Sequence, residues 1–279
     1  MSPGWRKIER ADYSGAEAFL RARESLCVGA CSRFLNANSD DHVWTLSDER
    51  GETDAFLLHS RRSLYPVFSK VQDLPIPRFL SRFLRKVPIH MVQGNREDAE
   101  ILEKSMEDLG YCAEDRIDYD LMNLDKGCPM ECFHQGPPGL ILRVPVPEDT
   151  EELFRLHAAY EQEEVIPQGS IFDPGNSRKS LRRILEGEQM LIACLDDQIV
   201  GKINTNAKSF TRYQIGGVYV LPGYRNQGIA VRMTAEFIQK LLLSVMGITL
   251  FVKKRNAAAR SVYRRLGFNI CGDYRISYF

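Results

Sequence analysis

The stretch that most restricts the fold is a junction: the apolar run IGGVYV at 215–220, then LPGYRNQGIA at 221–230, then VRMTAEFIQKLLL at 231–243. A short β-type run followed at once by apolar residues at helical spacing forces a strand-to-helix unit, and a strand that turns directly into a helix belongs to a layered α/β fold. A plain connection needs one turn residue and one cap. This one carries Pro222, Gly223, Arg225 and Gly228 in seven residues. Gly228 lets the backbone approach a ligand with no Cβ in the way, and the first-turn N–H groups of the helix beyond it have no partner within the helix. With the positive end of the helix dipole and the Arg225 charge beside them, those amides suit a phosphate.

The strand before the turn adds a second sign. Gly216 and Gly217 interrupt the apolar run, as glycines do at bulges or close approaches, and leave Val218, Tyr219 and Val220 to offer backbone groups to an extended molecule lying alongside. A third sign lies at NAAARSVYRRLGF, 256–268. Asn256 is a good N-cap, the alanines give a slim helix face, and Gly267 fits the left-handed position after a helix. Tyr263 stands four residues after Ala259 on that face, where it is either a packing aromatic or a phenol directed past the alanines.

Charge agrees with an anion near this region. The 37 basic and 37 acidic residues cancel overall, but residues 1–135 hold 18 against 23, a net of −5, and residues 136–279 hold 19 against 14, a net of +5. From Tyr213 onward ten basic residues face Glu236 and Asp273 alone, and a solvated basic face is the bland alternative. No run of eighteen apolar residues is present, and the opening MSPGWRKIERADYSG has no apolar export segment, so a cytoplasmic location with reduced thiols is expected. Cys27 with Cys31, and Cys128 with Cys132 and His134, complete no four-ligand pattern, so no metal is expected.

A Gly, Pro and Cys-rich segment, GCPMECFHQGPPG at 127–139, divides the chain into an expected α/β domain at 1–130 and a second at 138–279. The first reads as a helix over 8–30, strands in DAFLLHSRRSLYPVF, a helix in PRFLSRFLRK, a strand in VPIHMV, a helix in REDAEILEKSMEDLG and a strand in DRIDYDLMNL. The second begins with LILRVPV and the helix EDTEELFRLHAAYEQEEV, followed by the helix SRKSLRRILEG. MLIACLD and QIVGKINTNA form a hairpin about Asp196 and Asp197, before the junction, GITLFVK, the Asn256 helix and a final strand. Both halves end strand, helix, strand, as a distant duplication would.

In the segment V-Y-V-L-P-x-x-R-x-x-G-x-A, 218–230, joined to N-x-x-A-x-x-x-Y-x-x-x-G-F, 256–268, the chain resembles the GNAT superfamily of acyl-CoA-dependent N-acyltransferases over roughly residues 140–279. The extra first half is similar to two-part members whose N-terminal half is a degenerate GNAT-like domain. The resemblance implies a mixed-sheet α/β fold, with the GNAT fold in the second half, and acetyl-CoA as co-substrate. It also implies that Val218, Tyr219 and Val220 pair with the pantetheine arm, that Arg225 and the turn Asn226, Gln227, Gly228, Ile229 and Ala230 hold the pyrophosphate, that Asn256 lies near the pantetheine, and that Tyr263 protonates the departing thiolate.

Many members carry a carboxylate on the strand before the turn, where this chain has Gln214. Glu161, Glu163 and Glu164 at the end of the YEQEEV helix are then candidates near the acceptor, with Glu163, Glu164 and Gln214 as its expected contacts; a solvated acidic helix end is the alternative. In the first half the corresponding loop, FSKVQDLPIPRFL, has two prolines and no glycine and is unsuited to a pyrophosphate. The expected activity is transfer of acetyl to a primary amine on a small molecule or protein by direct attack, with neither nucleic acid nor membrane as partner. A non-catalytic acyl-CoA sensor is the alternative, and a nucleic-acid module using the basic tail ranks last, because no stacking aromatics are interleaved there.

Overall fold

The computed structural model describes residues 4–69, 78–128, 136–166, 169 and 171–279. The chain forms two compact units, Met1–Met122 with Phe251–Arg255 and Ile270–Phe279, and Asn123–Leu250 with Asn256–Asn269. The segment 127–139 read as a divider lies partly outside the described residues, as does most of the loop 68–80 of the first half. The last strand, sequence-adjacent to the second half, joins the first unit: Tyr274↔Asn95 through Tyr278↔Met91 form an antiparallel ladder. Alternating apolar residues mark a strand but do not name its neighbour, which only this register decides.

In the first half of the chain the elements are β1 (Arg6–Lys7), α1 (Tyr13–Arg21), α2 (Val28–Leu35), β2 (His42–Ser47), β3 (Thr53–Ser60), β4 (Ser63–Phe68), α3 (Arg78–Leu84), β5 (Met91–Asn95), α4 (Arg96–Glu107) and β6 (Asp115–Asp125). The second half of the chain begins with β7 (Ile141–Arg143), α5 (Thr150–Tyr160), α6 (Pro174–Gly187), β8 (Met190–Leu195), β9 (Gln198–Lys208) and β10 (Arg212–Val220). Then follow α7 (Ile229–Leu241), β11 (Gly247–Lys253), α8 (Ala257–Arg265) and β12 (Asn269–Tyr278). One order therefore runs twice: strand, two helices, three strands, helix, strand, helix, strand. Pairing repeats as well, since β2 to β4 and β8 to β10 are antiparallel while β4 with β5 and β10 with β11 are parallel.

Each unit buries its own core. Trp44, Leu57, Leu64, Leu80, Val92, Leu102 and Met106 pack together in the first, and Leu153, Leu156, Leu181, Met190, Ile192, Ile199 and Tyr219 in the second. The predicted helix over 8–30 is broken into α1 and α2 by a 3₁₀ turn at Glu24–Leu26. Inward residues keep coming at helical spacing through the break, Leu20, Glu24, Cys27, Cys31 and Phe34, so periodicity alone does not reveal it. The hairpin at Asp196 and Asp197 is as read, both residues being left-handed at φ 49° and 62°, the conformation a two-residue turn between antiparallel strands requires.

Candidate functional site

The segment between β10 and α7 takes the shape its residues favour. Pro222 opens a single 3₁₀ turn, and Asn226 and Gly228 are left-handed at φ 64° and 80°, positions that asparagine tolerates and glycine occupies freely. Helix α7 starts at Ile229 with Gly228 as its N-cap and no side chain capping it. The amides of its first turn therefore point out of the helix end with no intrahelical acceptor.

Beside this turn is a cleft of about 520 Å³ within the second unit. Val218, Tyr219 and Val220 of β10 form one wall, Arg225, Asn226, Gly228, Ile229 and Ala230 its end, and Asn256, Ala259 and Tyr263 of α8 the other wall. Glu163 and Glu164 reach the same cleft. Sequence positions as much as 100 residues apart thus meet in one place. Two residues of the predicted set do not line it: Gln227 is exposed and turned back toward the Gly223 carbonyl, and Gln214 is buried in the sheet opposite Ala207 and Thr249. A larger cleft of about 610 Å³ between α5 and α6 contains none of the predicted residues, and Arg178 pairs there with Glu151 and stacks on Phe154.

The acidic helix end is neither simple nor solvated throughout. Beyond Tyr160 the chain widens into a π-helical turn, Glu161–Val165, a rare geometry that changes where successive side chains aim. Glu161 lies 3.1 Å from His157 Nε2. Glu163 accepts from Arg225 Nη2 at 2.7 Å and from the Tyr219 hydroxyl at 2.9 Å. Glu164 accepts from Asn256 Nδ2 at 3.2 Å, while Asn256 Oδ1 caps α8 through the Ala259 N–H. Arg225 also donates through Nε to the Val220 carbonyl at 2.9 Å. Its guanidinium holds the Glu163 carboxyl below the usual carboxylate range. Burial, followed by Glu163 itself, pushes the Tyr219 phenol up.

Tyr263 is buried, edge-on to Phe268 at 5.9 Å, and burial raises its phenol well above the ordinary range, with Tyr160 and Glu164 adding to the effect. It is therefore a proton-bearing phenol across the neutral range. Tyr160 is pushed up to about 12 by burial and is partly restored by a backbone hydrogen bond at Gly217.

The glycine pair lies at an irregularity in the pairing of β10 with β9 and leaves room there for side chains of β9. A Cβ at Gly216 would collide with the Asn206 amide, and one at Gly217, where φ is +60°, with Asn204 Oδ1 and, at 2.8 Å, Lys202 Nζ. Sequence reasoning passed over these β9 residues, although polar residues at every second position in QIVGKINTNA, Lys202, Asn204 and Asn206, mark one polar strand face in an otherwise apolar run. Lys202 is completely buried. Its Nζ donates to the Gly217 carbonyl at 3.1 Å and to Asn204 Oδ1 at 3.3 Å and lies 4.3 Å from the centre of the Tyr160 ring. Burial lowers it to about 7, against a smaller opposite effect of Glu161.

Much of the basic excess after Tyr213 is engaged locally: Lys254 with Asp273, Arg275 with Asp118, Lys240 with Glu236 and Arg225 with Glu163. Among the described residues no group of three or more His, Cys, Asp or Glu could hold a metal, and Cys132 and His134 lie outside them. No helix among them is long and apolar enough to cross a membrane. Cys27 and Cys31 are buried free thiols 3.6 Å apart.

Comparison with known proteins bears on the family and the fold. The acetyltransferase (GNAT) family model matches residues 150–268. Among solved structures, a Drosophila protein of a structural genomics programme superposes with a TM-score of 0.68 at 11% identity, over 100% of this chain and 99% of its own. A GCN5-related N-acetyltransferase from Sphaerobacter thermophilus gives 0.57 at 20% identity, over 99% and 94%. A tandem GNAT protein from the clavulanic acid biosynthesis pathway gives 0.56 at 11%, over 99% and 97%. At these identities the likeness is one of fold. A comparison with curated proteins gives no match.

Proposed function

Residues 150–268 form a domain of the GNAT acetyltransferase family, and on that premise we propose that the protein transfers acetyl from acetyl-CoA directly to a primary amine. The observation that carries this reading is the convergence on one cleft of the uncapped N-terminus of α7, the irregular stretch of β10 and the buried phenol of Tyr263. The amides from Asn226 to Ala230 would hold the pyrophosphate, and Arg225 would exchange Glu163 for it. Val218, Tyr219 and Val220 would pair with the pantetheine arm, bringing the thioester to Tyr263.

The chemistry is then balanced without a covalent enzyme intermediate. A neutral amine attacks the thioester carbon, and the C–N bond forms as the carbonyl oxygen takes up charge against a β10 amide. The C–S bond breaks, the sulfur keeps the electron pair and takes the Tyr263 proton, and the amine's surplus proton passes to Glu164, directly or through water, and back to the phenol. Glu164 suits this part because it lines the cleft and its charge acts on both Tyr160 and Tyr263.

A set of small amines and peptide N-termini, assayed for thiol release from acetyl-CoA, tests the reading. The full chain is required, because residues 251–255 and 270–279 belong to the first unit. Thiol release dependent on an amine is the expected result. No binding of acetyl-CoA or CoA by calorimetry sinks the proposal. Binding without turnover over a broad amine set would favour the acyl-CoA sensor, for which one feature speaks: β10, RYQIGGVYV, carries no carboxylate.

A further inference from the structure

Between β9 and β10 the pairing runs Gly216↔Asn204 and then Tyr219↔Lys202, so two residues on β10, Gly217 and Val218, are passed over. Their shared peptide is held from behind. The Gly217 carbonyl accepts from Lys202 Nζ, and the Gly217 backbone also bonds the Tyr160 phenol. No peptide among the described residues is cis, and in a trans peptide the C=O and the next N–H point in opposite directions. With the carbonyl turned inward to the buried Lys202, the Val218 N–H points the other way, and Val218 is a residue of the cleft wall.

We propose that Lys202 is a positioning residue for acyl transfer: bonded to the Gly217 carbonyl, its ammonium orients and polarises the Val218 N–H as the donor to the thioester oxygen. The inference rests on the acetyl-CoA reading above and deepens it. A hydrogen bond to the oxygen of a peptide strengthens the N–H of the same peptide as a donor, most of all when the bond comes from a cation in a water-free interior. Lys202 is too deep to touch substrate and acts through the peptide alone.

The groups around Nζ make this polarisation sensitive to pH. Tyr160 of α5 presents its ring, β9 contributes Asn204 and β10 the Gly217 carbonyl. Glu161 is the nearby carboxylate and lies 3.1 Å from His157 Nε2 of α5. Because burial brings the lysine to about 7, the ammonium is fully present below neutral pH and is lost above it.

The test is infrared difference spectroscopy of acetyl-CoA labelled with ¹³C at the thioester carbonyl, bound to the full chain. In the wild type the carbonyl band is expected below its position in solution, rising toward it as pH passes about 7. Lys202→Met, which replaces the chain length without the charge, should bind acetyl-CoA within about 2-fold of wild type, lose most of the band shift and its pH dependence, and lower turnover ~10-fold or more. Lys202→Arg, which keeps a cation, should recover part of the shift. An unchanged band in Lys202→Met, or a pH-dependent band that persists in it, overturns the proposal while leaving the acetyl-CoA reading intact. A wild type that takes up no acetyl-CoA ends both. If Lys202→Met fails to fold, the wild-type titration decides: a band that does not move from pH 5.5 to 9 refutes the role.

Discussion

Substituting alanine for Gly217 perturbs the bulge at its tightest point. At φ +60° an alanine costs about 1 kcal/mol relative to glycine. Its Cβ would also lie on Asn204 Oδ1 and 2.8 Å from Lys202 Nζ, so the Asn204 side chain must leave its place. Asn204, 1% exposed, donates through Nδ2 to the Thr205 carbonyl and to Asn206 Oδ1, both at 2.9 Å, and accepts from Lys202. Losing two or three such bonds at about 1 kcal/mol each brings the total to about 3–4 kcal/mol. At roughly 3 °C per kcal/mol for a unit of this size, the melting temperature should fall by about 10 °C, read by calorimetry and by urea midpoint. Gly187→Ala is the control, since a Cβ at this helix-end glycine meets nothing and its φ is not positive, and it should leave stability unchanged or raise it by up to about 1 kcal/mol. Adding Asn204→Ala to Gly217→Ala should cost less than the sum of the two single changes, because the atom in collision is then absent. A Gly217→Ala transition within 2 °C of wild type, or costs that simply add, would refute the steric account.

Tyr263→Phe retains the packing against Phe268 and removes the phenolic proton, so turnover should fall ~10²-fold with acetyl-CoA affinity nearly unchanged; equal turnover would return Tyr263 to a packing role. Arg225 and Glu163 are each about two-fifths exposed, so their pair is worth ~0.2–1 kcal/mol, and Glu163→Gln should tighten CoA binding by about 1.4- to 5-fold by calorimetry; a tenfold loss would show instead that the carboxylate is needed for binding. Because the pair depresses Glu163, its small contribution is complete above the ordinary carboxylate value of 4.5 and is lost as pH falls through the lower folded value, which urea midpoints between pH 5 and 3 in wild type and Glu163→Gln would follow. Lys202 acts with the same sign in a higher window: the unfolded chain holds its proton to about 10.5 and the folded chain only to about 7, so stability should rise with pH across that window, and Lys202→Met should flatten the rise.

Local chemistry wrote much of this protein into its sequence. The order of elements, the hairpin at Asp196 and Asp197, the N-cap at Asn256 and the left-handed Gly228 follow from side-chain size, period and backbone freedom over a few residues. The turn Arg225–Ala230 and Tyr263 were legible for the same reason, and the structure brings most of that set to one cleft. Tertiary structure decided what depends on neighbours distant in sequence. It moved the last strand into the first unit, buried Gln214 within the sheet and turned Glu163 onto Arg225 and Tyr219 through a π-helical widening that no residue pattern announces. It also filled the space beside Gly216 and Gly217 with side chains of β9, giving a buried lysine the carbonyl it holds. A lysine in a strand reads as solvated until the opposite strand and helix are in place, because its burial and proton affinity are properties of surroundings assembled from Tyr160, Glu161 and Gly217.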